Sequence, residues 1–264
     1  MSSQIRLRLL ATTALICCVA SGLRGQETKQ IFNGKDLSGW KGNPELWSVE
    51  DGAITGTTTA EKPLKFNTFL VWEESLVGDF ELNLDYRIGA EGNSGIQYRS
   101  TVFNESDFVV GGYQADIDAT MKFAGINYEE KGRGILAQRG QRVTFAKDGE
   151  KTVETFGDKE ALGDVIKKGE WNHYKIVAKG PTVSHYINDQ LMSEVIDHQV
   201  GTAEARIKKF AKVSGSEVSK TMRAKIEEGG AKVGEASSEG VLAFQIHVGP
   251  PMKIEFKNIA LKTW

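Results

Sequence analysis

The stretch "GDFELNLDYRIG", residues 78–89, decides the fold. From Phe80 the side chains alternate strictly, with Phe80, Leu82, Leu84 and Tyr86 set against Glu81, Asn83, Asp85 and Arg87. Successive side chains of a strand point to opposite faces, so a period of two predicts a β-strand with one apolar and one polar face. The same device recurs on both sides of it. In "GNSGIQYRS", residues 92–100, Ile96 and Tyr98 oppose Gln97 and Arg99. In "GGYQADID", residues 111–118, Gln114, Asp116 and Asp118 oppose Tyr113, Ala115 and Ile117. Near the end, "LAFQIHVGPP" sends Phe244, Ile246 and Val248 one way and Gln245 and His247 the other.

Turn chemistry separates these runs. Asn33-Gly34, Ser38-Gly39 and Asp51-Gly52 punctuate the first 30 residues of the apparent fold, roughly. Residues 170–197 read as a meander of two or three strands, turning at Lys179-Gly180-Pro181 and at Asn188-Asp189. One short helix is expected after Asp158, which would cap it, with Leu162, Val165 and Ile166 at helical spacing. With 29 glycines among short runs of Val, Ile, Phe and Tyr, the pattern favours an all-β sandwich or barrel.

Residues 1–25 stand apart. Arg6 and Arg8 precede an apolar run from Leu9 to Ala20 and then small residues, the layout of a secretory signal peptide. The expectation is a secreted or periplasmic protein with no transmembrane segment, because no later apolar run approaches about 20 residues. Ile16 before Cys17 argues against a lipid anchor. Both cysteines, Cys17 and Cys18, lie in that segment, so the mature chain would carry neither disulfides nor thiol chemistry. With residues 1–20 removed, Arg6 and Arg8 go and no acid does, so 31 bases face 35 acids, which leaves no basic footprint for nucleic acid. The remainder, 26–264, reads as one domain. Within it, residues 202–239 are rich in Ala, Lys, Glu, Ser and Gly and poor in aromatics, as expected of a mobile or partly helical surface insertion.

Taken together and in order, "IFNGKDLSGW", "GDFELNLDYRI", "GNSGIQYRS", "GGYQADID", "EWNHYKIVAKG", "INDQ" and "LAFQIHVGPPMKIEFKNIALK" resemble the 3-keto-disaccharide hydrolase family over residues 30–201 and 240–262. The resemblance implies a concanavalin A-like jelly roll of two antiparallel sheets holding sugar on one face. It also implies a secreted or periplasmic enzyme, hydrolase or 1,2-lyase, acting on glycosides already oxidised at sugar C3.

A C3 ketone acidifies the C2 hydrogen. A base can remove it, the C1 substituent can leave, and water can add back, so the site needs a base, an electrophilic stabiliser and an acid for the leaving group. If the three polar faces share one sheet, they converge. Asp116 and His247 are then the catalytic candidates, with Gln97, Arg99, Gln114, Asp118, Arg139, His185 and Gln245 as candidates for binding sugar. Arg99 beside Asp116 would hold the carboxylate ionised. The acids of "DID" leave a divalent metal, calcium or another, open, although the glycine and distal Glu of an EF-hand loop are missing. Trp40, Trp47 and Trp72 read as core. One departure matters. Many relatives carry Glu where this chain has Gln114, and an amide is no base, so a non-catalytic carbohydrate-binding or envelope interaction module with the same fold is the alternative.

Overall fold

The structure, a computed structural model, describes residues 28–198 and 238–264. The segments read as signal peptide and most of the 202–239 insertion lie outside the described residues. In chain order the strands are β1 Thr28–Gln30, β2 Trp40–Lys41, β3 Trp47–Glu50, β4 Ala53–Thr57, β5 Thr68–Val77, β6 Phe80–Ile88, β7 Asn93–Asn104 and β8 Val109–Asp118. They continue with β9 Asn127–Glu130, β10 Gly134–Ala137, β11 Gln141–Phe145 and β12 Lys151–Thr155. After helix α1, Lys159–Asp164, come β13 Asn172–Lys179, β14 Thr182–Ile187, β15 Gln190–Asp197, β16 Gly240–Ile246 and β17 Lys253–Thr263.

Two sheets form a sandwich. The larger runs β12-β11-β15-β14-β13-β6-β17-β4-β3, with β1 added beside β17, and the smaller runs β10-β9-β8-β7-β16-β5-β2. Every neighbouring pair is antiparallel except β11 with β15, which is parallel. The alternation in β6 is fully realised, with Phe80, Leu82, Leu84, Tyr86 and Ile88 buried and the residues between them partly exposed. Each such burial contributes about 1.5–3 kcal/mol, so register is strongly specified. Trp40, Phe244 and Phe256 stack in sequence, with centroids 4.9 Å and 4.0 Å apart, and tie the sheets together. Trp40, Trp47 and Trp72 are all core residues.

The meander is β13-β14-β15, closed by Gly180-Pro181 and by Asn188-Asp189. Both residues of the second turn have positive φ, 47° and 66°, as a two-residue hairpin loop requires. The Asp158 carboxylate accepts the Ala161 N–H at 2.8 Å and starts α1 where expected.

Candidate functional site

Order in the smaller sheet places β8, β7 and β16 side by side. Register then fixes which side chains share a face. Gln97 lies opposite Gln114, Gly95 opposite Asp116, and Ala243 opposite both Gln97 and Val71. Gln245 pairs with Phe69, Tyr128 with Gln114, and Glu130 with Gly112. All of these lie on the face turned away from the other sheet, because Ile96, Tyr98, Ala115, Phe244 and Leu70 between them belong to the central core.

That outer face is roofed by its own chain. The β7–β8 pairing shifts register between Tyr98 and Thr101 and again between Val102 and Asn104. Bulges bend a hairpin. At its tip the Asp107 carbonyl accepts Thr68 Oγ1 at 3.1 Å and the Phe108 carbonyl accepts the Phe69 N–H at 3.0 Å. Since β16 lies between β7 and β5, the tip must pass over β16 to reach them. A small apolar cluster of Phe69, Val71, Val110 and Ala243 fills the space beneath.

Under this roof runs a ladder of amides. Ser100 Oγ donates to Gln97 Oε1 at 2.7 Å, and Gln97 Nε2 donates to Gln114 Oε1. Gln245 Nε2 donates to the same oxygen at 3.0 Å. Gln114 Nε2, its direction thereby set, donates to Asp116 Oδ1. Gly95 makes room for this arrangement, because a Cβ there would lie 2.6 Å from Gln114 Cγ. Asp116 is 5% exposed. Burial pushes its carboxyl well above the usual carboxylate range, the Gln114 hydrogen bond opposes this, and Glu130 and Asp118 add to it.

Toward the mouth the face carries Tyr128, Glu130, Asn67 and His247. Burial raises the Glu130 carboxyl, against the pull of Lys131, His247 and a 3.4 Å hydrogen bond from Asn67. Asn67 also accepts the Val248 N–H at 2.9 Å, which joins the start of β5 to the chain beyond β16. His247 is partly exposed, and its Nδ1 donates to the Val248 carbonyl at 2.6 Å, so Nε2 is the nitrogen left to meet a ligand. A buried carboxyl, a hydrogen-bonded amide frame and a partly exposed imidazole are therefore gathered on one sheet face.

Four of the residues anticipated from sequence are placed elsewhere or engaged otherwise. Arg99 does not stand beside Asp116. It sits in the bulge with φ 46°, which hands the outer-face position to Ser100. Its guanidinium instead donates to the Gly78 and Gly180 carbonyls and to Asp79, each at 2.8 Å. Gly112, at φ 142°, accommodates the bulge, since a Cβ would meet Ser100 Oγ at 2.5 Å. Arg139 is buried among the carbonyls of Met121, Ala124 and Lys159 and does not reach the face. His185 lies between the sheets, where Nδ1–H points to the Ile126 carbonyl and Nε2 accepts from Tyr98 Oη at 2.8 Å. Burial pushes its pKa down to about 3. Asp118 ends β8 by accepting Thr120 N, Thr120 Oγ1 and Phe123 N at 2.8–3.0 Å, the capping of a loop. For a divalent metal, no group of three or more His, Cys, Asp or Glu is gathered among the described residues.

Sequence reasoning passed over Tyr128, Glu130 and Asn67. The signal for the first two was the short alternation in "NYEE", where Tyr128 and Glu130 share parity once β9 is recognised as a strand.

Residues 27–262 match the family described as 3-keto-alpha-glucoside-1,2-lyase-like domain. A protein named 3-keto-disaccharide hydrolase from Bacteroides thetaiotaomicron is 26% identical over 173 residues, 62% of this chain and 57% of the relative. The alignment thus spans little more than half of that protein. Among solved structures, a protein of Parabacteroides distasonis ATCC 8503, provisionally described as a glycosyl hydrolase, superimposes with a TM-score of 0.52 at 19% identity, covering 90% of this chain and all of its own. That likeness concerns the fold, an all-β jelly-roll sandwich. With nearly all of the described residues inside the family match, the chain belongs to the 3-keto-alpha-glucoside-1,2-lyase-like domain family.

Proposed function

We propose that this protein is a carbohydrate-active enzyme that cleaves 3-keto-glycosides. The observation that carries the reading is Asp116, a carboxyl on the outer sheet face that burial holds well above the usual carboxylate range and that an amide hydrogen bond from Gln114 orients. A carboxylate with an elevated pKa is a stronger base than one in water. In its ionised form Asp116 would take the C2 proton of a 3-keto sugar. The C–H electron pair would move into an enediolate between C2 and C3. Its collapse would expel the C1 substituent, protonated by His247 in its cationic form, and His247 would then assist the addition of water across C1 and C2. The sum is a hydrolysis. Gln97, Gln114 and Gln245 hold one another and the carboxylate, so their part would be to keep Asp116 in place and offer amide edges to sugar hydroxyls.

The test is to incubate the purified protein with a 3-keto-disaccharide and with its unoxidised parent, and to follow released sugar. Cleavage of the keto form alone, lost in Asp116→Asn and depressed in His247→Ala, is the expected result. Equal cleavage of both substrates would identify an ordinary glycosidase and overturn the reading. One observation favours a second reading. Gln114 is an amide with both ends committed, and a face so saturated could bind sugar without cleaving it, in which case calorimetry would show binding with no turnover. The export of the protein is also a proposal, resting on residues 1–25, and the N-terminus of the mature protein tests it.

A further inference from the structure

Tyr128 has no part in the steps above, yet it stands at their centre. It faces Gln114 across the β8–β9 pair, on the same side of the sheet as Asp116 and Glu130. Its side chain is partly buried, and its hydroxyl makes no hydrogen bond among the described residues. The neighbouring polar groups differ in this respect: Gln97, Gln114 and Gln245 are all engaged with one another. A partly buried phenol on the polar face, its hydroxyl without a protein partner among the described residues, has a proton to donate to a ligand oxygen.

We infer that the Tyr128 hydroxyl donates a hydrogen bond to the C3 oxygen of the bound keto sugar and stabilises the charge that gathers there when C2 is deprotonated. The inference rests on the proposed 3-keto-glycoside reading and adds to it the electrophilic group that reading lacks. Arg99, the residue expected to polarise the ketone, is tied to Gly78, Asp79 and Gly180. With Arg99 so engaged, the Tyr128 hydroxyl is a neutral donor on the same face as Asp116. Burial, with Glu130 and Asp116 in support, holds the phenol above its ordinary value, which keeps the proton on the oxygen throughout the working range. A neutral donor of this kind gains strength as the carbonyl oxygen becomes an enolate oxygen, which is what a catalytic rather than a merely binding contact requires.

The step balances without a further reactant. Asp116 takes the C2 proton, the electron pair enters the C2–C3 bond, the C3 oxygen takes up negative charge, and Tyr128 keeps its own proton while sharing it.

The experiment separates this role from that of a leaving-group acid. A 3-keto-sugar analogue with hydrogen in place of the C1 substituent cannot eliminate, so only C2 proton exchange remains. In deuterium oxide the wild-type protein should exchange the C2 hydrogen, and Tyr128→Phe should slow both this exchange and glycoside cleavage by about 10²- to 10³-fold, with little change in KM. If Tyr128→Phe exchanges at the wild-type rate and loses cleavage only with poor leaving groups, the phenol is the leaving-group acid and the inference is overturned. Unchanged exchange and cleavage overturn it as well. A wild-type protein that neither exchanges nor cleaves would overturn the underlying function, and the inference with it. Circular dichroism and thermal melting of Tyr128→Phe establish that the variant is folded, and removal of one partly exposed hydroxyl leaves the packing ring in place.

Discussion

Two polar clusters lie on opposite faces of the smaller sheet, one on its outer face and one between the sheets. On the outer face, Gln97, Gln114, Gln245 and Asp116 form a ladder that ends in a buried carboxylate. On the inner face, Tyr98, Asn127 and Ser193 surround the His185 imidazole, and Asn127 Oδ1 and Tyr174 Oη have no partner there. Residue type does not tell the two apart, because histidine is the commoner catalytic group and amides the commoner structural ones. Position does. The imidazole is sealed among core aromatics and driven neutral, so it can neither meet a substrate nor exchange a proton at ordinary pH. The carboxyl is on the outer face, beneath the β7–β8 hairpin, and burial holds it well above the usual carboxylate range, the kind of perturbation that the proposed role as base calls for.

The sharpest way to break this contrast is Asp116→Asn. If the outer cluster is functional, cleavage of the 3-keto substrate falls by about 10³-fold or more while the melting temperature holds or rises, because an amide is spared the cost of burying a charge. The pH dependence follows with a definite sign. A carboxyl with a raised folded pKa holds a proton that the unfolded chain has lost, so its contribution is present below the unfolded value near 3.8 and is lost as pH rises toward the folded value. The Asn variant should remove that downward slope in denaturant titrations. A variant that melts lower and stays active would reverse the assignment of roles.

Arg99→Ala comes next, with a loss of about 3 kcal/mol in urea unfolding, since it strips a guanidinium that is 3% exposed from two carbonyls and Asp79. If Arg99 polarised substrate instead, the same variant would lose rate and keep its stability. His185→Phe should cost about 2 kcal/mol at neutral pH by leaving the Tyr98 hydroxyl unpartnered. Its informative readout is again a slope. The wild-type histidine is neutral when folded and protonates near 6.5 when unfolded, so stability is full above that value and lost as pH falls from 6.5 toward about 3, by at most about 1.4 kcal/mol per pH unit. The Phe variant should lack this component, and its persistence would place the acid sensitivity elsewhere. Smallest in stability is Gly95→Ala, which costs about 1–2 kcal/mol, because the new methyl must displace Gln114. Its effect on cleavage should exceed that of any other single methyl, about 10-fold, through the loosened bond to Asp116.

The alternation that declared β6 a strand was legible because both of its faces have a fixed destiny, one in the core and one in water. The same parity puts Gln97, Gln114, Asp116 and Gln245 on a common face from the sequence alone. It failed one residue later. Arg99 continues the alternation of Gln97 in the sequence, and the bulge that turns it away is set by contacts with a strand that the local pattern does not contain. Gly111-Gly112 opposite was a faint sign, since a glycine pair in a strand marks a place where backbones crowd. Arg139 and His185 were illegible for another reason. Their surroundings are carbonyls of distant loops and aromatic rings of the other sheet, and no spacing along the chain encodes those. The parallel joining of β11 to β15 belongs to the same class, because β12, α1, β13 and β14 lie between the partners.

The roof over the outer face is pinned to β5 by the Phe69 amide, whose proton is held by the Phe108 carbonyl. A proton shared between the cover and the edge of the floor is a clock for entry. Its rate of exchange with solvent deuterium reports how often the hairpin lifts, and a bound sugar that needs the hairpin closed would slow that single amide while leaving the core strands of the larger sheet unchanged.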